Sequence, residues 1–176
     1  MEKKYELTDE TTWIYGNKLT YRIRALRDFG DVKAGDLGGF VEHERNLSHN
    51  GNCWVRGLSA VYDDAVVCDN AIVDVASQVS KNAKVFGNAQ VTNGAKVSDN
   101  ARIYDNACVS GTVIYENAQI YGNAKACCGA SIYGNTKIYD KVLVCGYVNV
   151  YGDFELSGLA MIGDNRKPST EDYNPF

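Results

Sequence analysis

Two histidines, His43 and His49, are the only imidazoles in the chain and the first place to look for a general base. A base must sit within hydrogen-bond reach of the proton it removes. These two lie in a Gly-rich stretch outside any regular pattern, where solvated loop histidines are the plainer reading. Six cysteines (Cys53, Cys68, Cys108, Cys127, Cys128 and Cys145) include no C-x-x-C pair. Cys127, Cys128 and Cys145 lack the usual spacing of metal ligands, and a nucleophilic thiol would want a neighbouring base that none of the regularly spaced cysteines has. No phosphate loop, G-x-S-x-G or H-E-x-x-H pattern occurs. What remains is a recurring pair: Lys84, Arg102 and Lys137 each stand two residues before an aromatic, Phe86, Tyr104 and Tyr139, and Tyr121 holds the same place after Gln119. A flat ligand could stack on such rings while the cations meet its phosphate. The blander alternative is that the rings support each other, at roughly 0.5–1 kcal/mol per pair, with no ligand at all.

The elements that position these residues follow from a six-residue beat. From Val55 a β-branched residue returns at Val61, Val67, Val73, Val79, Val85, Val91, Val97, Ile103 and Val109. One residue is then missing, and the beat resumes through Ile114, Ile120, Ala126, Ile132, Ile138, Val144, Val150, Leu156 and Ile162. Two positions before most beats sits a small residue, usually Ala, and after most comes a turn pair such as Gly87-Asn88 or Asp105-Asn106. Residues two apart point to one side of a strand, and Gly and Asn tolerate the backbone of a corner. A period of six keeps no face on a helix of 3.6 residues per turn. The pattern therefore predicts a coil of short parallel strands, each rung bonded to the next about 4.8 Å away. Three units per turn make a triangular prism of roughly six rungs, about 30 Å long at that spacing.

Unrolled, the prism places residues 18 apart on one face, or 17 across the gap after Val109. Through Val67, Val85, Ile103, Ile120 and Ile138 run the outward columns Cys68, Phe86, Tyr104, Tyr121, Tyr139 and Val66, Lys84, Arg102, Gln119, Lys137. A second face carries Ser98, Tyr115, Tyr133 and Tyr151. The third shows Cys108, Ser110, Lys125, Cys127, Leu143 and Cys145, with Ile72 and Met161 nearby, and is the expected surface for self-association into a dimer or trimer. Asn70, Asn88, Asn106, Asn123 and Asn82, Asn100, Asn117, Asn135 form corner ladders that bond along the column.

An open coil exposes strand edges at its ends. Residues 1–51 are expected to supply an N-terminal β-hairpin cap turning at Gly16-Asn17, followed by an irregular first rung with Val41 and Leu47 on a looser beat. Residues 52–165 form the repeat column and 166–176 a polar C-terminal tail. The N-terminal part carries a narrower signal: Tyr5-Glu6-Leu7-Thr8, then Arg24-Ala25-Leu26-Arg27-Asp28-Phe29-Gly30-Asp31-Val32-Lys33-Ala34-Gly35, Gly38-Gly39-Phe40-Val41, Glu44 and Gly51-Asn52-Cys53-Trp54-Val55. This stretch resembles the start of the YdcK-type hexapeptide-repeat proteins, which are bacterial and prophage-borne. The resemblance implies an all-β, left-handed parallel β-helix, a hand that the general crossover preference would not select. Hexapeptide-class acyltransferases share that fold and use a His base beside a pantetheine groove at a subunit boundary, so the resemblance makes an acyl-CoA-dependent acetyltransferase the second reading, with His43 and His49 as its candidates. A polymer-forming scaffold is a third. No catalytic residue is carried over from the family, and the loop insertions that wall an acceptor pocket are missing from the uninterrupted beat.

The bulk properties narrow the rest. The chain has 176 residues, 45% apolar and 23% charged, which is one domain's worth and too apolar for disorder. Its formal charge of −4 argues against gripping duplex nucleic acid by overall charge. There is no run of about 18 apolar residues and no signal-peptide stretch, so a cytoplasmic protein with reduced thiols is expected, without membrane contact. The sequence calls for no metal and no cofactor. It reads as a non-catalytic binding protein taking a small nucleotide or a host protein, and the prophage resemblance implies a part in counter-defence.

Overall fold

The computed structural model describes residues 2–14 and 17–163. The hairpin turn at Gly16 and the tail at 166–176 fall partly or wholly outside these residues.

Short parallel strands stack into three sheets that together form a three-sided β-solenoid of about seven turns. Every beat residue from Val55 to Val144 is at most 1% exposed, as are the Ala residues two positions before them. The core is thus a column of β-branched and methyl side chains, sealed because each rung's amide N–H donates to the carbonyl of the next: Lys84 to Ala101, Phe86 to Ile103, Arg102 to Ala118. The count of roughly six rungs falls one short. Nineteen beats start and finish on the same side, so the sheet from Trp54–Val55 to Met161–Gly163 holds seven strands.

The register follows the unrolled prism. Lys84 pairs with Arg102 at a step of 18, and Arg102 with Gln119 at 17, the shortened step. The missing residue is a corner residue. Asn93 and Gly94 both take left-handed backbone at this edge, with φ of 55° and 70°, whereas the next turn has Gly111 alone. Removing one corner residue tightens a bend and leaves every strand in phase. A frame shift within a strand would have turned its apolar residues outward.

The N-terminal segment continues one sheet. Strand β1 (Tyr5–Ile14) pairs antiparallel with β2 (Lys18–Ala25), and β2 with β3 (Leu37–Val41), which runs parallel to the strand at Ala60–Val61. Val41 and Leu47 are buried and sit in register with Val61 and Val67, so the looser beat belongs to the stack. Tyr5, Ile23, Ala25, Phe29 and Val32 join the same apolar cluster as Trp54 and Val55. One 3-10 turn, Glu44–Asn46, is the only helical element among the described residues.

Candidate ligand-binding face

On the face through Val85, Ile103, Ile120 and Ile138 the side chains alternate in and out of the prism, as a strand requires. Phe86, Tyr104, Tyr121 and Tyr139 all project outward and stack: centroids are 4.9, 4.8 and 4.8 Å apart, with interplanar angles of 3°, 3° and 9°. The spacing is the rung spacing itself, so the solenoid sets the stack. A second ladder, Tyr115, Tyr133 and Tyr151, has centroids 4.7 and 5.1 Å apart. Each interior ring has a neighbour against both faces and offers solvent only its edge. Tyr104 and Tyr121 therefore cannot take a flat ligand on their faces, contrary to the sequence expectation for them. Their phenols are held neutral to higher pH first by burial and then by the next tyrosine in the stack.

Lys84, Arg102 and Lys137 lie in the adjacent outward column and separate into two kinds. Lys137 donates to Glu155 at 2.6 Å, which raises the ammonium's affinity for its proton, and Tyr139 also leans toward Glu155. Lys84 and Arg102 are exposed register partners on neighbouring rungs, and among the described residues neither forms an ion pair. Like charges set directly opposite across strands repel. This pair is thus an unbalanced positive spot on an otherwise acidic chain.

The corners are built from side-chain ladders. Asn70 donates to Asn88, Asn88 to Asn106 and Asn106 to Asn123; a parallel run joins Asn82, Asn100, Asn117 and Asn135. Beside the first run stands a column that the sequence reading passed over: Gly51, Asp69, Gly87, Asp105, Gly122, Asp140, Gly158. The carboxylates of Asp69, Asp105 and Asp140 accept the N–H groups of Gly87, Gly122 and Gly158 at 3.0, 3.1 and 2.9 Å. The strict Gly–Asp alternation at this interval was a readable signal. Its purpose is to satisfy corner amides that no strand reaches.

Of the two histidines expected to be solvated, His43 is exposed and His49 is not. His49 is half-buried and stacks on Tyr5 at 4.4 Å. Its Nδ1 accepts the Lys4 backbone N–H at 3.1 Å, and its Nε2 lies 3.1 Å from the Glu44 carboxylate. With Nδ1 so occupied, the ring proton sits on Nε2 and points at Glu44, leaving neither nitrogen for a substrate. His43 is exposed, with Nε2 3.6 Å from Glu42. Nearby, Lys4 is fully enclosed: its Nζ donates to the Cys53 carbonyl at 2.8 Å and lies 3.2 Å from Cys53 Sγ and 5.0 Å from the Phe29 ring centroid. Burial draws the Lys4 ammonium below its ordinary range and pushes the Cys53 thiol up.

On the third face Cys108, Cys127, Leu143 and Cys145 are half-buried and Met161 is exposed. Leu143 pairs in register with Lys125 and Met161, and Cys145 with Gly163. Burial and the adjacent Cys128 push the Cys127 thiol up to about 12, so it is protonated and unreactive at neutral pH. No group of three or more metal-binding side chains occurs among the described residues.

No family model matches the sequence. Among curated proteins, Escherichia coli K12 has one named "Uncharacterized acetyltransferase YdcK" that is 42% identical over 45 residues. The match takes in 26% of this chain and 14% of that protein's length. It is a local likeness, and the repeats and parallel coil described above agree with a hexapeptide-repeat architecture.

Proposed function

We propose that this protein binds a phosphate-bearing small molecule at the Lys84–Arg102 spot and does not transform it. The observation that carries the reading is the pair of neighbouring cations without a carboxylate, held on a rigid sheet beside an aromatic ladder. A phosphate relieves their mutual repulsion and can accept charge-assisted hydrogen bonds from both. The regular column around them contains no histidine, and among the described residues no group of three metal-binding side chains occurs. Within this reading the protein acts by holding its ligand, as a sequestering protein does.

Isothermal titration with ADP and with inorganic pyrophosphate tests this. Both should bind, with affinity falling as salt rises, and Lys84→Gln combined with Arg102→Gln should weaken each at least tenfold. Absence of heat for either ligand at millimolar concentration overturns the reading. The named likeness supports a second one, transfer of an acetyl group from acetyl-CoA, whose adenine and phosphates suit the same spot. Turnover of acetyl-CoA by the wild type that is lost in His43→Ala would establish it.

A further inference from the structure

The aromatic ladder is closed along its length, so any planar ligand must use one of its ends. The register defines both. Above Tyr139 stands Ser157; below Phe86 stands Cys68, and below Cys68 stands Ser48, whose N–H donates to Val67. At each end a six-membered ring therefore projects beyond a short side chain, and among the described residues no partner ring covers its outer face.

The two ends differ in how their cations are paired. At the Tyr139 end, Glu155 accepts from Lys137 and lies 3.5 Å from the Tyr139 hydroxyl, while Asp140 accepts the Gly158 N–H beside it. Lys137 is thereby neutralised. At the Phe86 end, Lys84 opens the strand Lys84–Val85 that Phe86 directly follows and Arg102 is one rung along, both without ion-pair partners among the described residues. Asp69 at this end accepts the Gly87 N–H, as Asp140 accepts that of Gly158 at the other, so the corner acids are alike and the difference lies in Glu155.

From this geometry we infer that the outer face of Phe86, overhanging Cys68 and Ser48 and flanked by Lys84 and Arg102, is the stacking site for an aromatic ring that carries phosphate, such as the base of a nucleotide. This inference rests on the phosphate-binding reading above and adds to it the ring, the end of the ladder and the orientation. Base–aromatic stacking tolerates many rings because each has a π-face, so the site selects for a flat group plus phosphate rather than for one base. Tyr104, Tyr121 and Tyr139 then act as positioning residues that hold Phe86 square to the column.

Titrations of the intact chain with ADP, adenosine and pyrophosphate separate the parts. ADP should bind at least tenfold more tightly than pyrophosphate. Cys68→Phe extends the ladder by one ring over the proposed site; it should bring ADP affinity down to that of pyrophosphate and leave pyrophosphate itself unchanged. Ser157→Tyr, which covers the opposite end, should change neither. Because Cys68→Phe could disturb packing, Phe86→Ser provides a second arm that removes the ledge and should have the same selective effect. Equal binding of ADP and pyrophosphate to the wild type, or ADP binding untouched by Phe86→Ser, overturns the stacking site while leaving the phosphate spot intact. Failure of both ligands to bind the wild type removes the two together.

Discussion

Phe86, Tyr104, Tyr121 and Tyr139 show how little a residue's identity says before its neighbours are placed. As a list of aromatics beside cations they read as an open platform, yet at 4.8–4.9 Å and nearly parallel they occupy each other's faces. His49 makes the same point, since Lys4 and Glu44 engage both of its ring nitrogens. Single residues also record small conflicts inside the column. Ser77 and Thr112 occupy small-residue positions, and their hydroxyls are buried with no partner. A buried hydroxyl that makes no hydrogen bond costs about 1–3 kcal/mol. Thr112→Val keeps the shape and removes that hydroxyl, so thermal unfolding should shift upward by about 2–4 °C for each kcal/mol recovered in a chain of this size. An unchanged or lowered midpoint would mean that Thr112 has a partner, such as a bound water.

At the scale of the element, the unit is a two-residue strand joined to a corner, and the corner is where sequence variation is least free. Gly87 has φ of +68°, and a Cβ there would sit 2.8 Å from the Asp105 amide nitrogen and 3.0 Å from its carbonyl oxygen. Gly94 has nearly the same φ, +70°, with nothing within 4 Å. The two glycines therefore separate backbone strain from crowding. Left-handed backbone costs a non-Gly residue roughly 1–2 kcal/mol, and Gly94→Ala should lower the unfolding midpoint by what that cost alone produces, about 2–4 °C per kcal/mol. Gly87→Ala should lower it distinctly further, because backbone of the next rung cannot yield as a flexible side chain would. Equal losses for the two would show that the rung spacing at Gly87 relaxes. The alternation of Asp and Gly in this column was written in the chain at intervals of 18 and 17, but its meaning required knowing that the carboxylate of one rung faces the amide of the next.

Across the whole molecule, charge pairs tie rungs to one another and the N-terminal segment to the column. Lys3 hydrogen-bonds the Glu44 carboxylate and Lys81 that of Asp99, and both acids are held below their ordinary values of 4.5 and 3.8 for that reason first. A carboxylate with a lowered folded-state pKa contributes stability that is complete above its unfolded value and disappears as pH falls through the folded one. The unfolding midpoint should thus be level down to about pH 5 and decline below the ordinary carboxylate range. Glu44→Gln should flatten part of that acid limb. A variant curve parallel to the wild type throughout would show that Glu44 takes no part in it.

Much of this was decided by the chain alone, because a β-solenoid is built from local units. The six-residue beat specified strand, corner, core residue and register, and even the deletion after Val109 could be located, since each rung contacts only its neighbours. What the linear pattern could not decide is how side chains from separate rungs use each other up. Ring faces closed by stacking, Lys137 neutralised by Glu155 while Lys84 and Arg102 stay unpaired among the described residues, and His49 held between Lys4 and Glu44 depend on distances of a few ångströms between residues 5 to 45 positions apart. A repeat dictates which residues become neighbours; only the folded geometry determines which of their donors, acceptors and faces remain for something else.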